Sequence, residues 1–372
     1  MLSARDPGAG YQLAEIAHCA SEVSYLDTFI FSQMPAFAIF DQAGLDAKLI
    51  QSGSDLCANN QVRDAILREA TRVIARTVPD AILVGLSGPD CGIDEAIVAS
   101  AGDIPTYAFQ DYWGDVNLGF GRVADTFFVI DDVAAAYTRE RLGESQRIVI
   151  CGSPKHATQR RISRAHGVLS SLASTDDNPS FVFLGQPLWG IEGYARTLSK
   201  SARYLYKYWP EARFRYRPHP KEDLSARERA LSILAEVGYS AEIDQDPILE
   251  NTFLTADLAC TCYSSCALDL AYLNKASATP LCGMLMMLFE QDVRRHYVAY
   301  SGLRDIPLSL MGLTKTVWNE LDLSEAIELA LGYTQRKKVW LETQKRLSDP
   351  LAAASKVLET IVGDLRDGIF TD

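Results

Sequence analysis

The chain has 372 residues, with 36 Lys and Arg against 48 Asp and Glu and a formal net charge of −12. Hydrophobic residues make up 48% and charged residues 23%, a mixture that sustains buried cores and excludes wholesale disorder, and the length fits two domains better than one. The acidic balance excludes a dedicated duplex nucleic-acid binder, which needs a basic face, but leaves room for a small anionic ligand held by a few local cations.

Short apolar runs predict strands at 36–40 (AFAIF), 81–85 (AILVG), 105–109 (PTYAF), 126–130 (TFFVI) and 147–151 (RIVIC). After a gap they predict further strands at 180–184 (SFVFL), 212–217 (ARFRYR), 240–243 (SAEI), 257–261 (DLACT) and 277–281 (SATPL). The runs lack strict alternation, as expected of strands buried on both faces. Helical spacing separates them: Val62, Ile66, Ala70 and Val73 within 61–76, and Leu224, Leu231, Leu234 and Ala235 within 224–236. A helical pattern also fills 324–366. Alternating strands and helices predict an α/β protein with parallel sheets covered by helices. Gly152-Ser153-Pro154 and the polar segment 174–179 mark a boundary, so the expected division is 1–165, 175–330 and a helical 331–372 packing across or beside the other two. Two doubly wound domains, with strand carboxyl ends facing a central cleft, would place a ligand there.

No basic segment followed by an apolar run opens the chain, and the most apolar run, 281–289 (LCGMLMMLF), is too short to span a bilayer. The eight cysteines show no framework spacing. A cytoplasmic protein with reduced thiols is therefore expected, and peripheral membrane contact is compatible with the sequence.

Three segments of the second half carry chemistry. In Arg213-Phe-Arg-Tyr-Arg217-Pro-His219-Pro-Lys-Glu222, period-two alternation puts Arg213, Arg215, Arg217 and His219 on one side. A central strand does not bury unpaired cations, so these must meet acids, solvent or a ligand. Pro218 and Pro220 bracket His219 and restrain the backbone on both sides. In Thr261-Cys-Tyr-Ser264-Ser265-Cys-Ala-Leu-Asp269, small hydroxyl residues stand between a strand and a helix, where main-chain N–H groups can receive a phosphate or simply be capped. Gly185-Gln186-Pro187-Leu188 forms the first strand-to-loop junction of the second domain.

In the first half, two acidic loops follow predicted strands: Gly88-Pro89-Asp90 through Asp94-Glu95, and Gln110-Asp111-Tyr112-Trp113-Gly114-Asp115. Either can present a carboxylate as a general base. Cys260, Cys262 and Cys266 lack a second ligand pair at zinc spacing and read as core thiols. Gly119-x-Gly121-x-x-Ala124 has no strand before it and no helix after it, and His18, His156, His166 and His296 read as surface or packing residues.

Together, GQPL at 185–188, RPHPKE at 217–222 and YSSCALD at 263–269 resemble the C-terminal half of bacterial GT-B glycosyltransferases that use CMP-activated acidic sugars, above all the sialyltransferase and polysialyltransferase group. The same His-Pro and Ser-Ser pairing is found in capsule Kdo transferases and CDP-glycerol glycerophosphotransferases. The resemblance covers mainly 180–285. It implies a GT-B-type fold of two Rossmann-like domains, acceptor on the first and nucleotide on the second. It implies an inverting, metal-independent transferase without a cofactor, moving a sialic acid-like or Kdo-like sugar from a CMP-sugar to a glycan or glycolipid for polysaccharide biosynthesis. Gly185, Gln186, Pro187, Arg217, His219, Pro220, Ser264 and Ser265 would bind nucleotide and phosphate, with His219 assisting departure of the nucleotide. The group carries an acid-acid-Gly motif for its base; this chain has Asp111-Tyr112-Trp113-Gly114 at the similar position, making Asp111 the expected base and Asp94 the reserve. Two alternatives remain on the same fold: a UDP-sugar 2-epimerase-like enzyme, and a non-catalytic nucleotide-binding protein.

Overall fold

The computed structural model describes residues 1–50, 60–88, 90–157 and 178–368. The chain divides into two units: Met1–Arg160 with Ser348–Asp372, and Arg161–Leu347. Most of the expected linker segment, together with Cys57, Pro89 and His166, lies outside the described residues.

In the first unit, β1 (Leu2–Ala4), β2 (Ile30–Ser32), β3 (Ala47–Leu49), β4 (Ile82–Val84), β5 (Thr106–Phe109), β6 (Thr126–Val129) and β7 (Arg147–Ile150) form one parallel sheet in the order β3-β2-β1-β4-β5-β6-β7. Helices α1 (Pro7–Ser21), α2 (Ala36–Gln42), α3 (Asn60–Thr77), α4 (Ile93–Ser100) and α5 (Asp132–Leu142) connect the strands. The order reverses between β1 and β4, the kind of switch point beside which ligands bind at strand carboxyl ends. Leu13, Ile16, Phe40, Ile66, Ile97, Phe109 and Phe128 are fully buried in this unit, each contributing about 1.5–3 kcal/mol by leaving water. The helix Pro350–Asp367 belongs to the same unit: Asp364, 4% exposed, accepts hydrogen bonds from Tyr107 Oη of β5 (2.9 Å) and from Arg147 Nη2 of β7 (2.8 Å).

In the second unit, β8 (Ser180–Leu184), β9 (Arg213–Arg217), β10 (Glu242–Ile243), β11 (Leu258–Thr261), β12 (Gly283–Met287) and β13 (Lys315–Val317) form a second parallel sheet in the order β10-β9-β8-β11-β12-β13. Its switch point lies between β8 and β11. The helices are α6 (Glu192–Tyr208), α7 (Leu224–Val237), α8 (Leu249–Leu254), α9 (Cys266–Ala276), α10 (Gln291–Ser301), α11 (Pro307–Leu310), α12 (Leu323–Leu331) and α13 (Tyr333–Arg346). No helix among the described residues is long and apolar enough to cross a membrane.

Two expected strands are overturned. Residues 36–40 are helical: Ala36 and Phe40, four apart, bury the same face of α2, and a five-residue apolar run carries too little periodicity to separate the two states. Segment 277–281 is a loop, because Pro280 has no N–H for a ladder, and the strand begins two residues later, in the run Gly283–Met287. The thiol expectation also needs correction. Cys19, Cys151, Cys260, Cys262, Cys266 and Cys282 are free, but Cys91 is disulfide-bonded. One bridged cysteine among the described residues leaves no framework spacing to read.

Candidate functional site

Three loops at the carboxyl ends of the second sheet contain the residues singled out from the sequence. After β8, Gln186 is buried, and its Oε1 accepts from Tyr263 N (2.9 Å) and Thr261 Oγ1 (3.1 Å), tying the GQPL turn to the loop after β11. Pro187 is exposed beside it. Ser264, 8% exposed, caps α9 by accepting the N–H of Cys266 at 3.2 Å, while Ser265 at the helix start is exposed and makes no side-chain capping bond. The next two N–H groups are also engaged within the turn, Ala267 on Ser264 O (3.3 Å) and Leu268 on Ser265 O (2.8 Å), so the exposed Ser265 hydroxyl is the polar group this end presents.

After β9, His219 is half-buried and Pro220 exposed. His219 Nδ1 accepts the Lys221 N–H at 3.1 Å, so the neutral ring carries its proton on Nε2, a donor without a partner among the described residues. Burial, then the neighbouring Lys221 charge, lower its pKa and favour that neutral form. The arginine row has met acids. Arg213 pairs with Glu242 at 2.7 Å, and Arg215 and Arg217 each pair with Asp244 at 3.2 Å. Arg217 Nη1 also donates to Thr252 Oγ1 at 2.9 Å, so its guanidinium is partly engaged within the protein.

The first unit gathers acids at its own switch point. Asp6 stands at the N-cap of α1 without capping it; instead its Oδ2 accepts the Gly88 N–H at 2.9 Å, joining the loops after β1 and β4. Asp111, half-buried after β5, lies against the start of α1, where a Cβ on Gly8 would collide with its Oδ2. Desolvation, then the charges of Asp115 and Asp6, push Asp111 up to about 7 against the opposing pull of Lys155. Asp115 is raised as well, chiefly by desolvation. The rest of that loop is braced: Gln110 Nε2 donates to Thr138 Oγ1 (2.9 Å), Trp113 Nε1 to Asp131 Oδ2 (2.8 Å), and Asn117 Nδ2 to Ser87 O (2.6 Å). Lys155 is carried by the loop after β7, where its N–H donates to Gln12 Oε1 at 2.9 Å.

Asp94 is placed differently from the expectation of a reserve base. It is fully buried in α4 and accepts from Ser3 Oγ (2.6 Å) and the Arg5 N–H (3.0 Å), so it fastens the β1–α1 loop and does not face solvent. Its neighbour Glu95 is likewise closed off, accepting the N–H groups of Ser87 (2.8 Å) and Gly92 (2.7 Å). Of the charged groups around Asp111, sequence reasoning passed over Asp6 and named Asp115 only as part of the acidic loop. Asp6 was legible only if the three-residue β1 had been recognised just before Arg5-Asp6-Pro7-Gly8. Of the histidines set aside, His156 is buried on Ser153 Oγ (2.7 Å) and the exposed His296 bonds to Tyr263 Oη (2.7 Å).

No protein-family model and no curated protein matches the sequence. Among solved structures the chain is similar to the UDP-GlcNAc 2-epimerase of Neisseria meningitidis bound to UDP-GlcNAc, with a TM-score of 0.65 and 13% identity over 97% of this chain and 99% of that one. It is similar to the MnaA–UDP co-structure from S. aureus, with a TM-score of 0.64 and 13% identity over 98% of this chain and 96% of that one. It is also similar to MurG of Acinetobacter baumannii, with a TM-score of 0.60 and 11% identity over 97% and 99%. Likeness at such identity establishes the fold: a GT-B-type α/β protein with two Rossmann-like parallel-sheet domains.

Proposed function

We propose that the chain is a nucleotide-sugar enzyme that acts on a UDP-sugar in the manner of a 2-epimerase, with the second unit holding the nucleotide and the first supplying proton transfer. The observation that carries this reading is the acid cluster of the first unit. Inverting a carbon that bears hydrogen takes a proton from one face and returns one to the other, a task that two neighbouring titratable groups can divide. Asp111, pushed up to about 7, is poised to exchange a proton near neutrality, and Asp115 beside it is raised too. In the second unit, His219 Nε2–H and the exposed Ser265 hydroxyl would meet the phosphate oxygens, with Gly185, Gln186 and Pro187 shaping the turn, so that the nucleotide leaves C1 towards donors already in place as the C2 proton is taken, and returns to C1 when a proton is delivered to the other face of C2. Arg217 would serve at the margin of the seat, its charge shared with Asp244.

The likeness to two structures named for UDP-GlcNAc or UDP supports a uridine nucleotide; the expected CMP preference finds no such support. A second reading, transfer of the sugar to a glycan or glycolipid acceptor with Asp111 as the base, is favoured by the likeness to MurG and by the His-Pro and Ser-Ser motifs.

Proton NMR of the protein with UDP-N-acetylglucosamine in D2O, without acceptor, separates the readings. Epimerised sugar with deuterium at C2 is the expected result. An unchanged donor that is consumed only when an acceptor is added would replace epimerisation with transfer. In a thermal-shift titration, UDP should stabilise the protein more than CMP; at 100 times its dissociation constant a ligand adds about 2.7 kcal/mol. Stabilisation by UDP with no turnover under either condition would leave a nucleotide-binding protein.

A further inference from the structure

We infer that Glu222 is the positioning residue of the phosphate seat, the acceptor on which three loops are hung; the inference rests on the nucleotide reading of the second unit. Glu222 is 5% exposed and accepts three hydrogen bonds from separate parts of the fold. Tyr216 Oη of β9 donates to its Oε1 at 2.8 Å, Trp189 Nε1 from the loop after β8 donates to the same oxygen at 2.5 Å, and the main-chain N–H of His219 donates to Oε2 at 2.6 Å. The last of these fixes the turn in which Lys221 N–H meets His219 Nδ1, and so leaves Nε2–H as the ring's free donor.

The chain of bonds continues to the other two loops. Tyr216 spends its one proton on Glu222, so in its 3.1 Å contact with Tyr194 Oη it must be the acceptor. Tyr194 Oη in turn accepts the Gln186 N–H at 2.8 Å, and Gln186 Oε1 accepts the Tyr263 N–H of the Ser-Ser loop at 2.9 Å. Every donor in this series points towards Glu222. Both tyrosines are fully buried, and desolvation raises their pKa values, so they keep their protons. Gly185 is the residue that permits the arrangement: a Cβ there would stand 2.5 Å from both Glu222 Oε2 and Tyr216 Oη.

An acceptor at both oxygens is required, and an amide cannot supply it. Glutamine would turn an NH2 against either the His219 N–H or the Tyr216–Trp189 pair. Glu222→Gln should therefore loosen the His219 turn while changing the volume of the side chain little. Tyr216→Phe is the second variant; it removes one oxygen from the series and keeps the carboxylate.

The test compares UDP with uridine by calorimetry in the full-length protein, and follows the His219 ring nitrogens by 15N NMR. Wild-type protein should bind UDP more tightly than uridine. In both variants UDP affinity should fall about tenfold, roughly the worth of one charge-assisted hydrogen bond, with uridine affinity unchanged. His219 should shift from a single Nε2–H tautomer to a mixture in Glu222→Gln. A general loss of structure would weaken both ligands alike and would count against the inference. So would variants that keep the UDP–uridine difference and the wild-type tautomer. If wild-type protein binds UDP no better than uridine, the phosphate reading itself fails and takes the inference with it.

Discussion

Asp111 illustrates how one side chain acquires a task from its surroundings. An exposed aspartate is fully ionised at neutral pH and a poor proton acceptor. Here desolvation and the nearby Asp115 and Asp6 charges raise it to about 7, and Lys155 is the cation that limits the rise. If Asp111 is the base, it works only when deprotonated, so the rate should climb with pH and level off above about 7. Lys155→Met removes the opposing charge, so the carboxyl should hold its proton to a higher pH and the midpoint of the acid limb should move upward. A pH–rate profile of the two proteins checks this. An unmoved midpoint would assign the limb to another group. Asp94 is raised too, to about 6, again chiefly by burial and against the pull of its hydrogen bonds from Ser3 and the Arg5 N–H, but those bonds seal it in the protein. A perturbed carboxyl is thus a site candidate only together with access.

At the level of elements, the start of α1 is the most informative contact. Gly8 lies in the first turn of a 15-residue helix, where alanine ordinarily helps by up to about 1 kcal/mol. Yet a Cβ there occupies the space of the Asp111 carboxylate. Gly8→Ala should hold or raise the melting temperature while lowering turnover at least tenfold, about the effect of 1.4 kcal/mol on the barrier. Equal losses of stability and rate would mean that the glycine serves packing only. The arginine strand teaches a related lesson. Alternation correctly put Arg213, Arg215 and Arg217 on one side of β9, but Glu242 and Asp244 on and just after β10 decide what they do there. A period-two pattern states which way residues point, whereas the partner strand comes from a distant part of the sequence.

For the molecule as a whole, the return of the last helix to the first unit matters most. Asp364 receives Tyr107 and Arg147 from two strands of that unit, and Tyr107 is fully buried. Ending the chain at Leu347 would uncover this contact and take the carboxylate away from the buried Tyr107 hydroxyl, at about 1–3 kcal/mol, while Arg147, 37% exposed and also bonded to Thr126 Oγ1, would lose less because water can replace its partner. The first unit should then melt several degrees lower and its amides near β5 and β7 should exchange faster, with the second unit little changed; hydrogen exchange resolved by peptide reads this directly. Uniform destabilisation of both units would contradict the assignment.

The fold class was legible because short apolar strands and 3.6-period helices are local signals, repeated often enough that two misread segments, 36–40 and 277–281, did not disturb the alternation. The motifs after β8, β9 and β11 were legible because each joins a strand end to turn residues within a few positions. The three-residue strands β1, β2 and β3 were not, since so short a segment has no period and gains its hydrogen bonds only from neighbours elsewhere in the chain. Without β1 the sequence offered no reason to single out Asp6, or to see that Asp111 rests against Gly8. Glu222 was visible as a letter in a motif, but its role depends on Trp189, Tyr194, Tyr216 and Gln186 converging from separate turns and helices. Residue type and spacing thus determined which groups were available. Which carboxylates are sealed, which arginines are neutralised and which imidazole nitrogen is left to donate were decided by tertiary contacts, because burial and hydrogen-bond geometry are properties of the folded neighbourhood and are carried by no single segment.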